Sequence, residues 1–549
     1  MKNVNLLSFL DKRTKEMENN VALGTRTNLG WAELTYKGLS ILSKKIGSYL
    51  IESGMNKGDK VAILSESMPE FGAAIFGSVL AGMTIVPLDI KLTIHEYEHI
   101  LNDCLPRVIL TSETYLEKAK NIKELISSIE QIIVIDGKKQ EAEYPNLYAL
   151  QAKDCKWRHK RLDETAIICY TSGTTGNPKG VEITYRNMLS QVMAIGKRFN
   201  IGPNDSLLSF LPMNHLYEIS VGFMSSLNKG ASIYYSHSLK PKDILAVMNS
   251  KKITFMATVP SFLKLLKSTL ESEIKQYGAF KSKFYKLKYS IAYALNNPFV
   301  SKLFFREIRR KFGPRFKGFM SGGAPLEYEV GRFFETIGID VYEAYGLSEA
   351  SPVVSMNYKN NRRLGSVGKA LPGVKVRTDS KTQELQVFGE TVMKGYYNKP
   401  EMTKDVMTED GWLKTGDIAR ISKQGFIYIT GRIKNMIVLS GGKKVFPEEV
   451  EAVLTKSDLI QECIVYSELK KSGAKQGTEE IVVKIYPGKE AVDSHDGEEL
   501  QNLVRAEVKR LSLELSQYKR PTNIDITFEP LPRTGINKIS RKAIVGSAK

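Results

Sequence analysis

Apolar residues in this chain come in short runs set between longer stretches of helical period. Lys60-Val-Ala-Ile-Leu64, Val108-Ile-Leu110, Gln131-Ile-Ile-Val-Ile135 and Thr165-Ala-Ile-Ile-Cys169 are short and almost continuously apolar. Such runs fit strands buried on both faces, as in parallel sheets. Between them the period lengthens: Gly38 to Ser53, closed by Gly54, predicts a helix. Strands and helices in alternation predict stacked α/β layers. Phe71 to Leu88 runs for eighteen residues without a charge, the length of a membrane span. Gly72, Gly77, Gly82 and Pro87 interrupt it. The pattern therefore predicts a buried helix to Ala81, a turn at Gly82 and a strand from Thr84 to Leu88. Val181 to Gly196 reads as helical, and Leu207 to Pro212 as a strand. Residues 238 to 320 read as helix-rich.

From Gly365 the chain changes to short alternating strands with glycine turns, which predicts a β-rich subdomain over about 365–432. Beyond Ile433, β and α patterns alternate over about a hundred residues, the size of a small domain. The expected fold is α/β: a large N-terminal domain, 1–432, of layered subdomains with the β-rich part, then a small α+β domain, 433–549.

The 549 residues are too many for one core, and 42% apolar with 25% charged residues fits a globular enzyme. Four scattered cysteines, with no CxxC pair, predict a reducing compartment and no cysteine metal cluster. The apolar run Leu6 to Leu10 is too short for a secretion signal, so the expected location is cytoplasmic.

The net charge is +19, which predicts anionic partners. Between Phe280 and Gly318 stand eleven Lys/Arg and one acid, with Tyr285, Phe299, Phe304, Phe305 and Phe316 among them. A solvated helical face fits this pattern, and so does peripheral contact with the inner membrane surface through segment 280–318. Nucleic acid is not expected, since no recognition motif accompanies the charge.

Chemistry concentrates in Tyr170-Thr-Ser-Gly-Thr-Thr-Gly-Asn-Pro-Lys-Gly180. Glycines let the backbone approach a ligand, and hydroxyls with successive N–H groups form a nest for phosphate oxygens. Lys179 adds a point charge. The spacing differs from the P-loop, in which Gly-Lys precedes Ser/Thr. Taken alone, the string also suits an ordinary surface turn.

Five further strings follow. Pro212-Met-Asn-His215-Leu-Tyr-Glu218 lies at a predicted strand end, where open α/β sheets place ligands. Ser321-Gly-Gly-Ala-Pro-Leu326 precedes Val341-Tyr-Glu-Ala-Tyr-Gly-Leu-Ser-Glu-Ala350, whose Glu349 among hydroxyls suits Mg²⁺. Gly411-Trp-Leu-Lys-Thr-Gly-Asp417 ends on a carboxylate, and a carboxylate at a strand end can accept both ribose hydroxyls. Lys538 lies in Leu531-Pro-Arg-Thr-Gly-Ile-Asn-Lys538, a basic tail.

In this order, and over essentially the whole chain, the strings resemble the adenylate-forming superfamily of AMP-binding enzymes, most closely its bacterial long-chain fatty acyl-CoA synthetases. The resemblance implies ATP, Mg²⁺ and CoA as cofactors and a fatty acid as substrate. Thr171, Ser172, Gly173, Thr174, Thr175, Gly176 and Lys179 would hold the β and γ phosphates. Gly323 and Ala324 would contact adenine. Tyr345, flanked by Glu343, Ala344 and Gly346, would add an aromatic face. Ser348 would contact phosphate, and Glu349 with Thr175 would hold the metal. His215 would border the carboxylate pocket. Asp417 would bind ribose with Arg432 as its partner. Lys434 would be the hinge of a mobile C-terminal domain, Gly441 and Gly442 would line a thiol tunnel, and Lys538 would bring the carboxylate to the α-phosphate. One departure stands out: Ile536-Asn537 precede that lysine where the family usually has Ser-Gly.

The expected reaction is ATP-dependent formation of an acyl-AMP, then transfer to the CoA thiol. An acyl carrier protein as acceptor is the first alternative. An amino-acid adenylation domain would need an acid for the substrate ammonium, and Glu218 is the only acid between Leu211 and Phe223. A non-catalytic lipid-binding scaffold on a decayed fold is the alternative from another class.

Overall fold

The four continuous apolar runs all become strands of one sheet. The computed structural model describes the chain except residues 1–5, 29, 138–142, 154, 172–177, 237, 277–278, 440–442, 470–478, 534–538, 540 and 547–549. It divides into two units: Met1–Leu326 with Val330–Val376 and Val387–Leu413, and Glu327–Glu329 with Arg377–Gln386 and Lys414–Lys549.

In the first unit, a seven-stranded sheet has the order Gly395–Tyr396, Lys179–Thr184, Thr165–Thr171, Thr84–Pro87, Lys60–Leu64, Val108–Thr111, Gln131–Val134. Its last five strands are parallel. The other sheet has nine strands. Asp340–Gly346, Gly318–Ser321, Phe255–Thr258, Ser206–Ser209, Ser232–Tyr235 and Val21–Thr27 run parallel through its centre. Parallel neighbours need crossover connections, and the helices that supply them cover the faces.

The long uncharged stretch is a helix Pro69–Leu80 followed by a strand Thr84–Pro87. Every helix residue except Glu70 is buried. It meets helix Tyr36–Glu52 so closely that a Cβ on Gly77 would lie 2.6 Å from Ile46 Cβ. No helix among the described residues is long and apolar enough to cross a membrane.

Three local expectations change. Val181 is not helical: Lys179–Thr184 is a strand antiparallel to Thr165–Thr171, and the helix is Tyr185–Arg198. Thr184 caps it, exchanging hydrogen bonds with Asn187. The strand expected to reach Pro212 ends at Ser209, where a turn begins. The helix-rich segment contains a strand, Phe255–Thr258.

In the second unit, strands Glu462–Leu469, Glu479–Tyr486 and Asn523–Ile526 form a sheet. Helix Gly497–Leu511 buries Leu500, Val504, Val508 and Leu511, one stripe at helical spacing. Helix Pro447–Leu454 opens on its proline. A four-stranded sheet, not confined to that unit, has the order Val374–Thr378, Glu384–Gly389, Leu413–Ile421, Ile427–Arg432.

Candidate functional site

The glycine- and hydroxyl-rich loop joins two antiparallel strands whose last pair is Thr171 with Lys179. The loop residues Ser172, Gly173, Thr174, Thr175 and Gly176 lie outside the described residues. The strands fix its two ends. Pro178 O lies 3.1 Å from His99 Nε2.

Lys179 sets the chemistry of this edge. Its Nζ donates to Tyr396 Oη at 2.5 Å and lies 3.8 Å from the centre of that ring. Tyr396 Oη donates in turn to Glu349 Oε1 at 2.7 Å, and Lys179 Nζ stands 3.5 Å from the same oxygen. A cation, a phenol and a carboxylate from three distant segments therefore share one point. Burial, with the Glu349 charge adding, pushes the Tyr396 hydroxyl well above its ordinary pKa, so it remains a donor at physiological pH. Tyr396 arrives by strand pairing: Gly395–Tyr396 runs antiparallel to Lys179–Thr184, with Tyr396 opposite Val181.

Glu349 sits on a short turn, Ser348–Ala350, just after strand Asp340–Gly346. Its carbonyl accepts from Met393 N–H at 2.9 Å, which ties the turn to the segment carrying Tyr396. Gly346 leaves no room for a side chain, since a Cβ there would lie 1.7 Å from Pro352 O. Next to Glu349, burial pushes the Cys169 thiol up to about 12. Among the described residues no three His, Cys, Asp or Glu side chains group as a metal cage. A single carboxylate, with Oε1 held by Tyr396, fits Mg²⁺, which takes one or two carboxylates and fills its shell with water and phosphate.

Glu343 lies on the same strand, paired with Ser321 across the sheet. Burial pushes its carboxyl up to about 8, against one N–H donor, Gly365, at 3.3 Å. Ala344 is buried beside it, while Tyr345 and Ser348 are half-buried. Gly323 and Ala324 follow strand Gly318–Ser321, and Gly323 has φ +84°, which favours glycine.

His215 sits half-buried in the turn after Ser209. Ser67 pins that turn: its Oγ donates to Leu211 O at 3.2 Å and accepts from Met213 N–H at 2.9 Å. Tyr217 packs against Gly322, where a Cβ would lie 3.2 Å from the ring. The turn runs into a π-helical segment, Glu218–Met224, a geometry frequent at functional sites. Glu218 is fully buried, and neither carboxyl oxygen makes a hydrogen bond, although Ser209 stands near enough to lower the pKa slightly. Burial dominates and pushes the carboxyl up to about 7. The group folds back over Gly222, where a Cβ would lie 2.1 Å from Oε1.

In the second unit, Asp417 and Arg432 are cross-strand partners, Oδ1 to Nε 2.7 Å, with the carboxylate buried and the guanidinium half exposed. Lys434 is exposed on the turn Ile433–Asn435. Gly441, Gly442 and Lys538 lie outside the described residues.

Sequence reasoning brought Lys179 and Glu349 forward and missed Tyr396 between them. It stands 217 positions from Lys179, and no spacing rule links them. Tyr217 and Glu218 stood in the string Pro212 to Glu218, where only His215 was given a role.

A family model described as AMP-binding enzyme matches residues 10–397. A long-chain-fatty-acid–CoA ligase of Bacillus subtilis strain 168 is 28% identical over 93% of this chain and 90% of its own length. Among solved structures, ATP-bound MatB from Rhodopseudomonas palustris covers 100% of this chain and 99% of its own at TM-score 0.79, with 23% identity. A fatty acyl CoA synthetase of Mycobacterium tuberculosis covers 99% of this chain and 98% of its own at TM-score 0.70, with 21% identity. These two structures establish the fold.

Proposed function

Since the chain belongs to the AMP-binding enzyme family, we propose that it is an acid–thiol ligase that joins a long-chain fatty acid to CoA at the expense of ATP. The observation that carries this reading is the Lys179–Tyr396–Glu349 cluster at the end of a glycine- and hydroxyl-rich loop. It presents a cation and a carboxylate side by side, as a phosphate chain and its counter-ion require. The name of the Bacillus subtilis relative supports the substrate class.

In the first step a carboxylate oxygen attacks the α-phosphorus of ATP. The bond from that phosphorus to the bridging oxygen breaks, pyrophosphate leaves, and acyl-AMP forms. In the second, the thiolate sulfur of CoA attacks the acyl carbonyl and AMP leaves. The protein's part is to position reactants and neutralise charge. Lys179, with Thr171 and the loop Ser172 to Gly176, would hold the β and γ phosphates. Glu349, with Thr175, would hold Mg²⁺, which when bound neutralises phosphate charge. Tyr396 would keep Glu349 and Lys179 apart and oriented. Gly323, Ala324, Glu343 and Tyr345 would flank the adenine, and Ser348 would contact phosphate. Asp417 would accept the ribose hydroxyls, held by Arg432. His215 would border the carboxylate pocket. Lys538 would bring the carboxylate to the α-phosphate, Lys434 would serve as the hinge, and Gly441 and Gly442 would line the thiol path.

The test is ATP-dependent pyrophosphate release across acids from acetate to palmitate, with and without CoA. The expected result is CoA-stimulated turnover rising to long chains. A peak at acetate, or silence across the panel, overturns the substrate class. The net charge of +19 favours one variant of the reading, an acidic acyl carrier protein as acceptor. Carrier-stimulated turnover without a CoA response would select it. A long-chain acid partitions into bilayers, so such a ligase would meet its substrate at a lipid surface.

A further inference from the structure

Helix Ala279–Leu295 carries two apolar faces. One is packed. Tyr285 and Tyr289 lie against Phe305, centroids 5.4 and 6.4 Å away, Tyr289 also stacks on Phe333 at 6.1 Å, and Ala292 is buried on the same side. The other faces water. Phe284, Leu287, Ile291 and Leu295 are 52%, 57%, 38% and 59% exposed. At 3.6 residues per turn they fall within an arc of about 80°. The next helix, Pro298–Phe304, adds Phe299 at 75% and Leu303 at 63% exposed. Scattered exposed apolar residues are ordinary. A stripe repeating every three or four residues from Phe284 to Leu295, with Phe299 and Leu303 exposed on the next helix, is the mark of a partner surface.

The charge around the stripe says which partner. Lys311 is paired with Glu273, and Lys317 with Asp205 at 2.6 Å. Lys281, Lys283, Lys286, Lys302, Arg306 and Arg310 form no ion pair among the described residues. Lys288 lies 4.4 Å from the Phe284 ring centre, so a basic group caps the stripe itself. Four of the six exposed residues, Leu287, Ile291, Leu295 and Leu303, are aliphatic and offer a nucleic acid nothing to stack on. An acidic protein would answer the charge and leave the stripe unexplained. A bilayer with anionic headgroups answers both, since basic amphipathic helices lie in the interface with the apolar face in the acyl boundary.

We propose that helices Ala279–Leu295 and Pro298–Phe304 form a docking surface for an anionic lipid bilayer. The apolar stripe enters the acyl boundary and the free Lys and Arg side chains meet headgroup phosphates. The purpose of the surface rests on the fatty-acid ligase reading, because it would place the enzyme where its substrate resides. Its existence does not, since vesicle binding is measured without acid, ATP or CoA.

The experiment is co-sedimentation of the full chain with vesicles of phosphatidylcholine alone and of phosphatidylcholine with phosphatidylglycerol. Two triple variants accompany it: Lys302→Gln/Arg306→Gln/Arg310→Gln, and Phe284→Ser/Leu287→Ser/Phe299→Ser. All six side chains are exposed, so thermal melting and turnover of a water-soluble short acid should match the parent. The parent is expected to bind the phosphatidylglycerol vesicles and to lose binding as salt rises. Each basic group near such a surface is worth about fivefold in partition, so the first triple variant should bind roughly a hundredfold more weakly. The second should lose most binding even at low salt. Failure of the parent to bind anionic vesicles overturns the proposal. Binding that neither variant changes also overturns it, because lipid contact would then lie elsewhere. A parent that ignores vesicles and binds an acidic protein assigns the surface to a protein partner instead.

Discussion

Tyr396 shows what one side chain adds to a legible motif. Lys179 and Glu349 were readable because each lies in a string whose chemistry is local: a glycine-rich loop, and a carboxylate among hydroxyls. Tyr396 was not, because its role comes from sheet pairing across 217 positions. Removing its hydroxyl should let Lys179 and Glu349, already 3.5 Å apart, close on each other and compete with phosphate and metal. Tyr396→Phe is therefore expected to lower kcat/KM for ATP about tenfold, in line with one lost charged hydrogen bond, with little change in melting temperature. Steady-state kinetics with ATP varied would check this; an unchanged kcat/KM would remove Tyr396 from the site. Glu218 gives the second prediction at this scale. Its pKa is raised by burial from 4.5 to about 7, so the folded chain keeps a proton that the unfolded chain releases. That contribution is fully present below pH 4.5 and is lost as pH rises to about 7, after which it is flat. The size is roughly 3 kcal/mol, from 1.36 kcal/mol per pH unit. Glu343, raised to about 8 by burial, acts in the same direction. Glu218→Gln should flatten the slope of unfolding free energy between pH 5 and pH 7, measured by denaturant titration, whatever its effect on the absolute level. The same slope in both proteins would mean that Glu218 finds a partner and stays ionised.

At the scale of elements, the strands were the most legible feature, and the uncharged stretch resolved into helix and strand as its glycines indicated. The helix expected from Val181 shows where periodicity fails. Val181 and Ile183 give too short an alternation to stand out beside the amphipathic helix Tyr185–Arg198. The start signal was present in Thr184 and Asn187, but Asn is a weaker capping partner than Glu or Gln. The helix pair Tyr36–Glu52 and Pro69–Leu80 depends on one glycine. A methyl on Gly77 would lie 2.6 Å from Ile46 Cβ and 2.8 Å from Ser43 O, which is main chain and does not yield as a side chain does. Alanine would favour the helix by about 1 kcal/mol, yet overpacking costs about 1–3 kcal/mol. Gly77→Ala is expected to lower the melting temperature while leaving kcat of the folded enzyme unchanged, measured at a temperature where both are folded. An equal or higher melting temperature would show that the two helices separate freely.

At the scale of the whole molecule, the proposed residues are divided along the chain. Lys179, Glu349 and Tyr396 belong to the first unit, Asp417, Arg432 and Lys538 to the second. The sequence pattern set its boundary at Ile433, with Asp417 and Arg432 on the N-terminal side, and spacing says nothing of which half-reaction each residue serves. The chemistry separates them. Forming acyl-AMP brings a carboxylate against a phosphate, two anions, and needs a cation aimed at both. Thiolysis of acyl-AMP joins a thiolate to an activated carbonyl and no longer needs that cation. Lys538→Ala should therefore lower acid-dependent pyrophosphate release by about 10²–10³-fold, the loss expected when one preorganised charge-stabilising group is removed. Release of AMP from supplied acyl-AMP and CoA should stay within a few-fold of the parent. The two rates are read separately in single-turnover experiments, so a folding defect, which lowers both, is told apart from a lost role. Equal slowing of both steps in a variant with a parental melting curve would falsify the split, and Lys538 would then be no more than part of a basic tail.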